Sequence, residues 1–157
     1  MRLEGSCHCG AVRFTVDSEA PYPYLRCYCS ICRKTAGGGG YAINISADSA
    51  SLTIEGEDNL SVYQVASADH EGGLREGRRH FCKACGSALW VYDPRWPELV
   101  HPFASAIDSE LPTPPETAHI MLGSRAGWVT AEAGPDHHHF EEYPKESLAD
   151  WHRRHRL

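Results

Sequence analysis

Seven cysteines in a chain of 157 residues fall into three tight groups: Cys7-His8-Cys9, Cys27-Tyr28-Cys29-Ser30-Ile31-Cys32 and Cys82-Lys83-Ala84-Cys85. No other feature constrains the fold as much, because thiols at these spacings have few uses. An odd count fits a disulfide framework poorly, and the opening MRLEGSCHCG lacks the apolar stretch of a secretory signal. Thiols that merely pack as small hydrophobes would be scattered rather than clustered. The spacing therefore predicts reduced, zinc-bound cysteine in a cytoplasmic protein.

How the sulfurs divide decides what the metal does. Residues i and i+2 of an extended segment share a face, so Cys7 with Cys9, and Cys27 with Cys29, can each offer two sulfurs side by side. Cys82 and Cys85 do the same through a folded-back turn, with Gly86 suited to the positive φ that follows. Two such pairs make one saturated four-sulfur zinc site, whose role is folding and whose metal contributes on the order of 10 kcal/mol. The trio Cys27, Cys29 and Cys32 leaves one coordination position open, the arrangement of catalytic zinc. Arg33 and Lys34, next in sequence, would partly offset its negative charge. Spacing alone leaves the pairing open. Cys7 and Cys9 joining the trio, or His8 or His80 completing it, would make both sites structural.

The rest of the chain predicts a β-rich single domain over residues 1–157. Apolar and polar residues alternate in Val12–Val16 and in Tyr41–Ile45, where Ala42 stands as a small residue on the polar face. Leu52–Glu55 and Leu60–Val65 flank Gly56-Glu57-Asp58-Asn59, a four-residue hairpin loop by composition. Ala88–Tyr92, Leu99–Ile107 and His119–Leu122 are further strands, and Pro102 marks an edge or a bulge. Ser67–Arg79 reads as a long mobile loop and Asp108–Thr117 as a proline-rich turn. Glu146–Arg156 predicts a short helix with Leu148, Trp151 and His155 on one side and arginines at its end. No run approaches the roughly 18 apolar residues of a membrane helix. Formal net charge is −6, which argues against a broad nucleic-acid footprint.

GSCHCGAVRF, RCYCSICRKTAGG, FCKACGSALW, HIMLGSRAGW and FEEYP together resemble the glutathione-dependent formaldehyde-activating enzyme family, which also includes centromere protein V. The likeness runs from about Gly5 to Pro144. It implies a mainly β, Mss4-like β-tent with two Zn²⁺ ions. Carried over motif by motif, Cys7, Cys9, Cys82 and Cys85 hold the structural zinc, and Cys27, Cys29 and Cys32 the catalytic one. The implied activity is that of a carbon–sulfur lyase, similar to S-(hydroxymethyl)glutathione synthase, with glutathione or another small thiol and a small aldehyde as partners. Family members often carry histidine where this chain has Tyr28. The alternative is a non-catalytic, zinc-scaffolded interaction module like centromere protein V, with the Arg-rich Trp151–Leu157 as its contact surface.

Other residues read more plainly. Gly37–Gly40 is a flexible connection, with an anion-binding nest as the sharper alternative. His137-His138-His139 is a solvated loop, with a metal-binding tract as the sharper alternative. Trp90 and Phe103 belong to the core, while Tyr92 and especially Trp96 are candidates for a pocket wall. Arg33, Lys34 and Arg125 are available to grip carboxylates.

Overall fold

The computed structural model describes residues 1–157. The chain opens with strands β1 (Arg2–Ser6) and β2 (Arg13–Asp17), then β3 (Tyr24–Cys27), helix α1 (Ser30–Ala36) and β4 (Ala42–Asn44). Short strands β5 (Ala47–Asp48) and β6 (Thr53–Glu55) lead to β7 (Leu60–Tyr63), β8 (Arg78–Cys82), β9 (Ala88–Tyr92) and β10 (Leu99–Pro102). Strands β11 (Thr117–Ile120) and β12 (His137–His139) and helix α2 (Leu148–His155) complete it. The architecture is mainly β, as the cysteine-bearing motifs imply. Three sheets form, in the orders β1-β2-β6, β5-β10-β9-β8-β7 and β12-β11-β3-β4.

Period-two burial builds the first core. Leu3 on β1, and Phe14 and Val16 on β2, turn the same way and pack with Val12, Leu89, Trp90 and Val100. The Phe14 and Trp90 rings meet edge to face at 5.1 Å. Cys7 and Cys82 lie in this same core. A second core gathers Cys27, Cys32, Ala42, Phe103, Ala118 and Ile120. Each cysteine group thus anchors part of its sulfurs in a core, while Cys9 and Cys85 are exposed.

Several expectations change. Gly56–Asn59 does not close a hairpin: β6 pairs with β2 and β7 with β8, so this loop carries the chain between sheets. Gly56 is required there, at φ +77° and with the Ala11 carbonyl oxygen only 1.9 Å from where a Cβ would sit. Ala42 is buried opposite Cys27, because the third sheet packs this face against the second core. Ser67–Arg79 folds back on itself through an Ala66–Leu74 bridge, and its last two residues begin β8. Pro102 ends β10 beyond the two residues that pair with β5, so its missing N–H interrupts no ladder. His137–His139 forms an outer strand beside β11, held by Thr117–Asp136 and Phe140–His119 backbone bonds.

Helix α2 forms nearly where expected, with Ser147 as its N-cap: the Ser147 hydroxyl accepts the Asp150 N–H at 3.1 Å. Its buried residue, Trp151, stacks on His155 at 4.0 Å and donates its indole N–H to Glu116 at 2.9 Å. Burial alone would raise the Glu116 carboxyl, yet Arg154 and Trp151 hold it down at about 2. Docking of α2 therefore rests on one aromatic anchor and one satisfied carboxylate. Trp151→Ala is expected to cost about 3 kcal/mol of unfolding free energy. A loss below about 1 kcal/mol in urea titrations would show that the helix contributes little to the fold.

Candidate metal centres

The first cluster is assembled from two turns. Cys7 follows β1 and enters a turn in which Gly10, at φ +77°, returns its N–H to the Cys7 carbonyl at 3.0 Å. Cys82 ends β8 and enters the matching turn, where Gly86, at φ +78°, bonds back to the Cys82 carbonyl at 2.7 Å. Cys7 and Cys9 are thus not paired along an extended strand; the turn brings their sulfurs to 3.6 Å. Cys9 and Cys82 are 3.9 Å apart, and all four sulfurs, with Cys85, lie within 4.8 Å of one another. A tetrahedral metal with sulfur at about 2.3 Å requires sulfurs about 3.8 Å apart. The donor set fits such a metal. The Val12 N–H donates to Cys7 Sγ at 3.3 Å, and the Ser87 hydroxyl lies 3.2 Å from Cys85 Sγ. Bonds from Ser87 and from backbone N–H groups pull the Cys85 thiol down to about 5.

The second cluster joins a strand end to a helix start. Cys27 closes β3, and Tyr28 turns to the opposite side, where it is fully buried. Cys29, extended at φ −62° and ψ 155°, caps α1 with its sulfur, which accepts the Cys32 N–H at 3.3 Å. Here the same-face reading of Cys27 and Cys29 holds. The three sulfurs lie within 4.8 Å of one another, and no histidine or acidic oxygen joins them. Bonds from the Cys27 and Cys32 thiols, strengthened by the backbone N–H groups of Cys32 and Ile31, drop the Cys29 thiol to about 2. His8 is exposed, and its N–H goes to Ser87. His80 stacks on Trp90 at 5.1 Å, and burial lowers its pKa. Neither histidine enters a cluster, and the fourth place beside the trio has no such side chain.

A family model described as glutathione-dependent formaldehyde-activating enzyme matches residues 2–124. The chain belongs to this family. A Halomonas elongata protein provisionally named as a glutathione-dependent formaldehyde-activating enzyme is 61% identical over 154 residues, covering 98% of this chain and 96% of its own. A crystal structure of a Rhodobacter sphaeroides protein superposes with a TM-score of 0.54 at 28% identity, over 71% of this chain and 92% of its own.

In this member of the formaldehyde-activating family, the surroundings of the trio differ from those that adjacency in sequence suggests. Lys34 is exposed, and Arg33 has a buried Nε without a partner. The cation that reaches a trio sulfur is Arg79 of β8, whose two terminal nitrogens lie 3.5 and 3.6 Å from Cys32 Sγ. Tyr143 is a second residue that spacing could not reveal. Its side chain is largely exposed, and partial loss of solvent around its hydroxyl, with the negative charge of Cys27, Cys29 and Cys32, raises its phenol. Arg125 is exposed. Trp96 is half exposed beneath the Arg95 guanidinium at 4.8 Å, and Trp90 and Phe103 are core residues. Gly37–Gly40 is a closed turn, not a slack connection: a Cβ at Gly40 would meet Val129 at 2.3 Å.

Tyr28 is fixed from behind. Its hydroxyl meets His119 Nδ1 at 2.8 Å, and His119 Nε2 meets His137 Nδ1 at 2.8 Å. Burial, with the nearby Arg26, lowers His119 to about 4, so it is neutral at physiological pH. The residue between Cys27 and Cys29 is therefore locked, and with it the direction of both sulfurs.

The two clusters are expected to respond differently to loss of a ligand. Cys82→Ser or Cys9→Ser should unfold the domain or leave it insoluble, because the metal's binding free energy becomes folding free energy. Cys29→Ser should keep a cooperative thermal transition and lose any activity. Equal losses of thermal stability in both kinds of variant would remove the distinction.

Proposed function

We propose that the chain is a zinc-dependent carbon–sulfur lyase acting on a thiol–carbonyl adduct, joining glutathione and formaldehyde reversibly as S-(hydroxymethyl)glutathione. The observation that supports it is a cluster of three sulfurs with no fourth side-chain ligand, in a member of this family. The name of the Halomonas elongata relative points to the same two substrates. Residues 1–157 work as one domain with two zinc ions. Cys7, Cys9, Cys82 and Cys85 hold the structural ion, and Cys27, Cys29 and Cys32 the catalytic one. When bound to the trio, zinc supplies the positive centre that keeps an incoming thiol deprotonated at neutral pH.

The chain's residues then account for the rest. The trio and its backbone donors hold the site rigid, through the Cys29 cap and the locked Tyr28. In the forward direction the thiolate sulfur attacks the carbonyl carbon, and one carbon–sulfur bond forms. The π pair of the carbonyl moves to oxygen, which takes a proton. In reverse the oxygen loses that proton and the carbon–sulfur bond breaks. That proton is exchanged with solvent water. A chain of thiolate ligands requires a reducing compartment, for which the cytoplasm is our reading.

The interaction-module alternative draws no support from the C-terminal helix. Arg154 is engaged by Glu116 and Glu146, Arg153 by Asp150, and Trp151 is buried. Elemental analysis of protein purified without chelator should give two zinc ions per chain. Glutathione added to cobalt-substituted protein should strengthen the sulfur-to-metal charge-transfer absorption, more so as pH rises toward the free thiol's pKa, while S-methylglutathione should not. A spectrum unmoved by glutathione would mean a closed trio and no lyase chemistry.

A further inference from the structure

We propose that Arg79 makes the trio selective for an anionic fourth ligand, so that a thiolate is taken up in preference to a neutral donor. The inference rests on the open-site reading above and adds the residue that sets the ligand's charge. Arg2, Arg26, Arg95, Arg153 and Arg154 each pair with a carboxylate, and of the seven other arginines only Arg79 turns its terminal nitrogens on a sulfur. Arg79 has no carboxylate within ion-pair distance. Its only side-chain partner is the buried Cys32 sulfur, met by both terminal nitrogens at 3.5 and 3.6 Å. A guanidinium left without a carboxylate and turned on a sulfur points to a charge that the sulfur cluster itself balances.

Its position is held by the sheet. Strand β8 lies between β7 and β9, with Arg79 opposite Tyr63 and Val91. Three residues later Cys82 enters the four-sulfur cluster, and the register shifts between His80 and Phe81. One strand is thus tied to one cluster by a ligand and to the other by a cation. Exposed Lys34 is a mobile charge on a flexible stem and has no such fix.

Charge arithmetic gives the consequence. A divalent metal with three thiolates carries −1, and Arg79 brings the ensemble to zero. A fourth thiolate, arriving as the thiol and leaving its proton in solvent, takes the ensemble to −1. Without Arg79 the same step runs from −1 to −2, and like charge opposes it. A neutral ligand such as imidazole leaves the charge unchanged in either case. Arg79 therefore affects thiolate binding and leaves neutral-donor binding largely alone.

The test uses cobalt-substituted full-length protein, titrated separately with glutathione and imidazole and followed by visible absorption. For Arg79→Gln, glutathione affinity should fall roughly tenfold or more, with imidazole affinity changed less than about twofold. Equal loss for both ligands would make Arg79 a merely structural support, and no change for either would overturn the assignment outright. If Arg79→Gln fails to hold both metals, Arg79→Lys decides: it keeps the charge, so preference for glutathione over imidazole must survive, and its collapse overturns the proposal. A wild-type protein that ignores glutathione would instead remove the open-site reading itself.

Discussion

Four sulfurs drawn within 4.8 Å of one another, from turns separated by more than seventy residues of sequence, are the constraint on which the remaining structure depends. Cys7 and Cys82 lie in the largest core, beside Leu3, Phe14 and Trp90, so the seam between the first two sheets is both apolar and sulfur-lined. Thiolates crowded this closely repel one another unless a cation lies between them. The two glycine-closed turns make the crowding possible, because left-handed glycine frees backbone N–H groups to face the sulfurs. A sheet-to-sheet contact with this requirement fixes where β1 and β8 end.

From that anchor, β8 links the four-sulfur cluster to the trio. Arg79 and Cys82 occupy one short strand, so the side chain that meets the Cys32 sulfur sits three residues from a sulfur of the larger cluster. The trio is supported from three other directions. Helix α1 supplies a capped first turn, Ala42 packs opposite Cys27, and Tyr28 is locked by His119 and His137. Support from several directions holds the three sulfurs within 4.8 Å of one another.

Much of this was legible in the chain. The mainly β class followed from period-two stretches such as Val12–Val16, and the grouping of seven cysteines followed from spacing and the family resemblance. The C-terminal helix was readable from Leu148, Trp151 and His155. Other features were hidden for physical reasons. Helix α1 is only seven residues long and begins on a cysteine cap, too short for a 3.6-residue period to show. His137–His139 is a strand only because β11 lies beside it to receive its hydrogen bonds.

By itself the sequence determined the sulfur inventory: which sulfurs exist, that they come in three tight groups, and that glycine follows the second cysteine of two of them. Those facts are local, written in spacing over a few residues. The tertiary structure alone decided what surrounds the sulfurs. Arg33 and Lys34 adjoin Cys32 in the chain, yet the guanidinium on its sulfur comes from Arg79, 47 residues away. His119 likewise reaches Tyr28, between two of the trio cysteines, from β11. Such neighbours are chosen by strand pairing and sheet packing, which depend on non-local burial and leave no mark in the spacing of any one segment.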